Sequence, residues 1–259
     1  MKKGKCHICG NIGDLSFEHI PPKKAFNNKP VIVTKGIEGI VRCPNDPIKG
    51  SVKQRGMGSY TLCEHCNNYT GSWYGSRFVD WCYQGMDILM RSDGSPSLIY
   101  LYRMYLLAIL KQIVVMFLSV NSPDFGDSNP ALVKFVLDRY ARGLLPIYRF
   151  FTYYNIEGIH RSVGLSGSLS LPNGNIILMS EISYPPFGYL MTIESKPPDK
   201  RLFEITHFTN YDYDYLSKLG ELRLPVLPTH LGYPGDYRTK DEIYQQADQS
   251  KHLIRKKMV

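Results

Sequence analysis

Acidic residues are scarce at the start of this chain. Positions 1–60 hold four (Asp14, Glu18, Glu38 and Asp46) against eleven Lys and Arg, a local net charge of +7 out of +8 for all 259 residues. The remainder is close to neutral, so the basic character belongs to one segment. Such a segment on a neutral body points to a polyanion, nucleic acid or an anionic surface, with a plain solubility face as the alternative. An apolar run is missing behind the positive head MKKGKCHICG, which excludes a secretory signal. Leu98–Val120 is apolar and long enough to span a bilayer. Arg103, Lys111 and Gln112 interrupt it, and charge inside a span is costly. A core helix is therefore expected there, in a soluble, cytoplasmic protein with no membrane partner. Hydrophobic residues at 43% suffice for a core, and charged residues at 21% do not suggest disorder. No internal repeat is present.

Four of the six cysteines form two pairs, Cys6-x-x-Cys9 and Cys63-x-x-Cys66. Without an export signal, paired CxxC reads as a zinc site before it reads as disulfides. Two residues between cysteines let both thiolates face one ion, and two such knuckles supply a tetrahedron of soft ligands. Gly10 after Cys9 suits the tight turn. Nothing around either pair resembles a thioredoxin-like redox unit. A four-thiolate zinc has no open position, so it is expected to be structural. Cys82 fits a helical apolar pattern and reads as core, and Cys43 has no assigned role. His7 and His65, inside the knuckles, read as exposed spacers.

The knuckles are 53 residues apart (10–62), so the metal closes a long loop around something else. That loop opens with Leu15-Ser16-Phe17-Glu18-His19-Ile20-Pro21-Pro22, whose alternation predicts a short strand ended by the prolines. An adjacent Glu-His pair thus stands at a strand end beside Lys23-Lys24. Tyr60-Thr61-Leu62 predicts a second strand running into Cys63, and Asn67-Asn68-Tyr69-Thr70-Gly71 follows Cys66.

These pieces together resemble the HNH endonucleases, the treble-clef, four-cysteine zinc branch of the ββα-metal nucleases. CHIC, EHIPP in the place of D/E-H-x-x-P, and LCEHCNNYTG in the place of L-C-x-x-C-N carry the resemblance, over roughly residues 5–75. It implies that His19 is the general base that activates water. It implies that Glu18 is its acidic neighbour and often a ligand of the catalytic ion, and that Asn67 occupies a metal-site position. Cys6, Cys9, Cys63 and Cys66 would bind the structural Zn²⁺. The second histidine of the family name is replaced by Asn67 or Asn68, and either of these could hold the catalytic Mg²⁺ or Mn²⁺. The family's middle asparagine has no counterpart among residues 55–60. Appended α+β domains of this kind resemble effectors of bacterial antiviral, anti-phage defence systems.

The residue types agree with phosphodiester hydrolysis. A neutral imidazole takes a proton from water, and a hard ion prefers the oxygens of a carboxylate and an amide. Lys23, Lys24, Lys29, Lys53 and Arg55 are candidates for tracking the phosphate backbone of the substrate, with double-stranded DNA the first expectation and RNA a further one. A non-catalytic zinc-knuckle module binding nucleic acid or protein is the competing class; it needs the cysteines and lysines but neither His19 nor Asn67.

The fold class expected is α+β: a zinc-stabilised nuclease domain over 1–92, then helices and a mainly antiparallel sheet over 93–259 serving partner binding, dimerisation or sensing. Helical spacing predicts a helix over 72–91, and the polar stretch Arg91–Pro96 marks the boundary. A long helix over 98–119, capped by Ser97, and another from Asn129-Pro130 to Gly143 are expected. Strands follow at Tyr148–Tyr153, His160–Leu171, Asn175–Ser183, Tyr189–Ile193 and Leu202–Thr206, with a hairpin turn at Pro172-Asn173-Gly174. The aromatics of this half read as core and edge packing before base-stacking surfaces. The basic tail from Lys251 is expected to be mobile.

Overall fold

Strands β1 (Lys2–Lys5) and β2 (Ile12–His19) pair antiparallel. After a short ribbon of β3 (Val31–Val33) and β4 (Ser51–Lys53), strand β5 (Gly58–Cys63) returns along the other edge of β2. The β2–β5 register shifts at one point: Ser16 faces Leu62, but Phe17 faces Tyr60, leaving Thr61 unpaired. Helix α1 (Glu64–Thr70) leaves β5 directly and runs through a π-helical turn, Gly71–Gly75, into α2 (Ser76–Arg91). These are two antiparallel strands followed by a helix, with the strand ends Cys63 and His19 at opposite ends of the ladder. The structure, a computed structural model, describes residues 2–34, 50–92, 97–170 and 175–257. Cys43, the Pro172-Asn173-Gly174 turn and most of the Arg91–Pro96 break lie outside them.

The segment expected as one helix over 98–119 divides into two elements. Residues Ser97–Met104 form β6, and only Leu106–Val120 is helical, as α3. The reason is distant in sequence: β12 (Ser217–Pro225) pairs antiparallel along β6. The period-2 signal was present, since Leu98, Tyr102 and Met104 are buried while Ile99 and Leu101 are exposed. Helix α3 is buried from Leu106 through Ser119, as an all-round apolar helix at a domain centre must be. Among the described residues no helix is long and apolar enough to cross a membrane.

Helices α4 (Pro123–Ser128) and α5 (Pro130–Leu137) follow, so the helix expected to reach Gly143 stops six residues short. Lys111 explains part of this. Its ammonium is fully buried and donates to the carbonyls of Phe135 and Asp138, closing the end of α5.

Strands β7 (Tyr148–Tyr154), β8 (Arg161–Ser170), β9 (Asn175–Tyr184), β10 (Phe187–Ile193) and β11 (Phe203–Glu204) make an antiparallel sheet in the order β11-β7-β10-β9-β8. Tyr148, Phe150, Phe151, Tyr153 and Tyr154 are buried, as core packing requires, and Tyr215 is exposed. Behind the sheet, Glu181 accepts from Tyr153, Tyr237, the Gly235 backbone and Arg161, a buried charge with its partners in place. Helix α6 covers Lys240–Lys257 and so takes in most of the basic tail.

Trp81 on α2 packs against Tyr102, Phe187 and Phe208. One hydrophobic cluster takes in Cys6, Leu62 and Phe78 together with Phe117, Phe150 and Leu224, so residues on both sides of position 93 share a core.

Candidate metal centre and cleft

The first knuckle is a tight turn at the end of β1. Gly10 adopts φ 74°, its N–H donates to the Cys6 carbonyl at 3.0 Å, and the Cys6 N–H donates to Asn11 O at 2.9 Å. The His7 N–H bonds Thr61 O at 2.9 Å, which docks this knuckle on β5, the strand that carries the second. That second knuckle is also a helix start. Cys63 caps α1, and its Sγ accepts from the Cys66 N–H at 3.5 Å.

All four sulfurs lie within 4.8 Å of one another, and Cys9 Sγ and Cys63 Sγ are 3.8 Å apart. Bonds of ~2.3 Å to a tetrahedral zinc demand sulfur separations of about 3.8 Å. Without a cation the cluster is electrostatically frustrated: a hydrogen bond from Cys66 holds the Cys6 thiol well below its usual range, and the same bond holds Cys66 up. A divalent soft cation accepts all four as thiolates, so the donor set fits a metal such as zinc. Among the described residues the cysteines form no disulfide.

His7 is not an exposed spacer. Its ring is buried and lies 3.2 Å from the Leu118 carbonyl, because the knuckle packs on the end of α3. Lys5 beside it bridges Asp124 and Asp127 of α4. His65 is exposed, against Tyr69.

Glu18 and His19, at the far end of β2, open onto a cleft of about 540 Å³. Asn67 on α1, and Pro22, Lys23 and Lys24 in the turn after β2, line it with them. Asn68 is exposed and does not line it; neither do Lys29, Lys53 and Arg55, whose side chains are also exposed. Of the candidate residues outside the cysteines, the fold therefore gathers Glu18, His19, Lys23, Lys24 and Asn67.

Each is held differently. His19 Nε2 is 3.0 Å from the Arg55 carbonyl. A carbonyl only accepts, so Nε2 carries the proton and Nδ1 keeps its lone pair. Burial pushes the His19 pKa below its ordinary value, against an opposing pull from the Arg55 carbonyl and with lesser help from the charges of Lys23 and Arg55. The ring is thus neutral at pH 7, with Nδ1 basic. Glu18 is 8% exposed and, among the described residues, its carboxyl has no hydrogen bond or ion pair. Burial alone raises its pKa to about 8. Asn67 donates from Nδ2 to Ser16 Oγ at 3.0 Å, which leaves Oδ1 as its free acceptor. Once its proton is displaced, the Glu18 carboxyl with the amide oxygen in the same cleft offers hard donors of the kind Mg²⁺ or Mn²⁺ prefers.

Three contributors were not foreseen. Asn27 is fully buried, donates to the carbonyls of Pro21 and Met57 and accepts from the Met57 N–H, all at 2.7 Å; it fastens the Lys23-Lys24 turn to the start of β5. Asp80, one turn into α2, and Gln112, on α3, also line the cleft. The spacing Asn67, Gly71, Gly75, Val79 marks the helix face that carries Asp80's neighbours into it. No signal in the sequence connects Gln112 to this site.

Compared with known protein families, curated proteins and solved structures, the chain matches none.

Proposed function

We propose that this protein is a metal-dependent endonuclease of the HNH type that hydrolyses phosphodiester bonds in nucleic acid. One observation carries the reading: a histidine with its Nε2 proton fixed on a backbone carbonyl faces a cleft shared with a buried carboxyl that has no partner among the described residues, an asparagine and two lysines. A binding module would need the lysines, but has no use for a tautomer-fixed imidazole beside a buried carboxyl.

The roles follow from the atoms. Nδ1 of His19 accepts a proton from water as it attacks phosphorus, and Nε2–H stays on the Arg55 carbonyl while the ring charges. Lys23 and Lys24, exposed at the cleft rim, neutralise phosphates of the strand. Glu18 and Asn67 Oδ1 would hold the catalytic Mg²⁺ or Mn²⁺, which supplies relief of negative charge at the leaving oxygen. The four-cysteine centre, with Zn²⁺, ties the turn between β1 and β2 to the end of β5 and the start of α1. Double-stranded DNA is the first substrate to offer, and RNA the second.

The test is incubation of purified protein with plasmid DNA, and separately with structured RNA, in Mg²⁺, in Mn²⁺ and in EDTA. Metal-dependent cutting that falls by ~10²–10⁴ in His19→Ala, with unchanged folding, supports the reading. Cutting by His19→Ala at the parent rate overturns it.

A further inference from the structure

The cleft has a second wall that the hydrolytic residues do not use. It is built from the π-turn Gly71–Gly75, where the helix leaves Asn67, and from Gln112 beneath it. Gly71 and Gly75 stand four residues apart and both line the cleft. Neither is required by the backbone: φ is −62° at Gly71 and −59° at Gly75, ordinary helical values. Neither is required by packing: a Cβ added at either position meets nothing within 4 Å. Glycine is the poorest helix former after proline, so two of them here weaken the helix without any return in packing. What they leave is a strip of bare backbone open to the cleft. The strip coincides with a π-helical turn, a departure from α-geometry that recurs at functional sites.

Gln112 is an independent observation. It is 2% exposed, lines the same cleft, and among the described residues its Oε1 has no hydrogen-bond partner. A buried amide with an unmade bond costs stability, and a leucine of similar volume at this place in an apolar helix would not. The bare strip and the orphaned amide therefore share one explanation: both wait for something that enters the cleft.

We infer that this wall is a nucleotide subsite. The nucleotide next to the bond being cut lays its sugar edge against the bare backbone of Gly71 and Gly75, and its polar edge meets the Gln112 amide. A cleft of about 540 Å³ holds a unit of that size. The ligand class follows from the site's neighbours: the wall shares the cleft with Lys23 and Lys24, so an occupant continuous with a polyanion fits it. This inference rests on the nuclease reading and extends it from the reacting phosphate to the flanking nucleotide.

The decisive property is that stability and binding move in opposite directions. Gly75→Ala, Gly75→Leu, Gly71→Leu and Gln112→Leu should each fold as well as the parent or melt at a higher temperature. The three leucine variants should weaken binding of a short fluorescein-labelled DNA duplex about tenfold or more, measured in Ca²⁺ to suppress cutting, and Gly75→Ala by less. The same labelled sequence as RNA shows which nucleic acid the subsite prefers. A structural role for the glycines would lower the melting temperature instead, and would overturn the inference. So would leucine variants that melt higher yet bind and cut like the parent; the nuclease reading would survive that result. A parent protein that neither binds nor cuts DNA or RNA would overturn both.

Discussion

Ser16 orients Asn67. The serine hydroxyl, on the second strand, donates to the Leu62 carbonyl at 2.9 Å and accepts from the asparagine Nδ2 at 3.0 Å, which sets the amide oxygen free on the other side. The serine thus joins the two strands and the helix at one atom. Its place beside the register shift at Thr61 is what lets it reach both partners.

Ser16→Ala should therefore loosen Asn67 without moving it out of the cleft. The expected result is a higher Mg²⁺ requirement for cleavage, largely restored by excess Mg²⁺, with zinc content unchanged. The loss of two side-chain hydrogen bonds costs ~1–3 kcal/mol of stability at most. An unchanged Mg²⁺ titration would mean that the asparagine does not need its anchor.

The four-cysteine centre predicts one Zn²⁺ per chain, by elemental analysis of protein purified without added metal. Cys63→Ser removes a thiolate ligand but keeps a side chain that can cap the following helix in place of the sulfur that accepts from the Cys66 N–H, so its effect reports the metal and not the cap. It should lose the metal and destabilise the β1-β2-β5 sheet and α1 together. Chelation of the parent should do the same, because metal binding and folding are one equilibrium in such sites. Folded, fully soluble protein with no zinc would refute it.

Much of this centre was legible in the sequence because local spacing determines it. CxxC can make only a few turns and EHIPP must end a strand at its prolines, but the helix expected from residue 72 starts earlier, at Glu64, so that Asn67 is already inside it. What was not legible is carried by contacts between distant segments. Leu98–Met104 looked like helix because its partner strand lies over 110 residues away, and only Ser217–Pro225 makes its alternation meaningful. His7 looked exposed because the helix end that covers it, at Leu118, is equally remote. Asn27 and Gln112 carry no local motif; their importance comes from what they are packed beside. The tautomer of His19 depends on a carbonyl at Arg55, and carbonyls leave no trace in a sequence.

Lys111 gives a pH signature. Burial drives its pKa down to about 7, against a weaker opposing pull from Asp138. The unfolded chain holds this proton up to about pH 10.5, whereas the native state releases it near 7, so the unfolded state binds more protons between those limits. Stability should then rise with pH across that window, by up to about 1.4 kcal/mol per unit, and be flat in this respect below pH 7. Lys111→Met removes the slope and also strands the Phe135 and Asp138 carbonyls it closes. Denaturant titrations of both proteins at pH 7, 8 and 9 give the comparison. Parallel curves would mean that the lysine stays charged in the fold, held by those carbonyls and by the Phe135 ring 3.8 Å away.

The lysines at the cleft rim make the last prediction. Lys23 and Lys24 are exposed on a turn that Asn27 fastens by three hydrogen bonds, so their position is set while their charges stay in solvent. Exposed charges of this kind contribute little to stability, and Lys23→Glu with Lys24→Glu should leave melting within ~0.5 kcal/mol of the parent. Binding is another matter. Each phosphate neutralised releases a counterion, so affinity falls with salt at a slope of about −0.9 per contact on duplex DNA. Removing two contacts should flatten that slope by about 1.8 and weaken binding most at low salt. A second effect acts on His19, whose pKa the Lys23 charge helps to lower. Reversing that charge should raise it, so that the base is lost to protonation at a higher pH and the acid limb of the rate profile moves towards neutrality. Loss of salt dependence and displacement of the acid limb in the same variant would place both lysines at the reacting phosphate. A flattened slope with an unmoved limb would leave them as backbone contacts remote from the histidine. An unchanged slope would make the basic turn a solubility face, and the phosphate contacts would then have to be sought elsewhere on the basic first sixty residues.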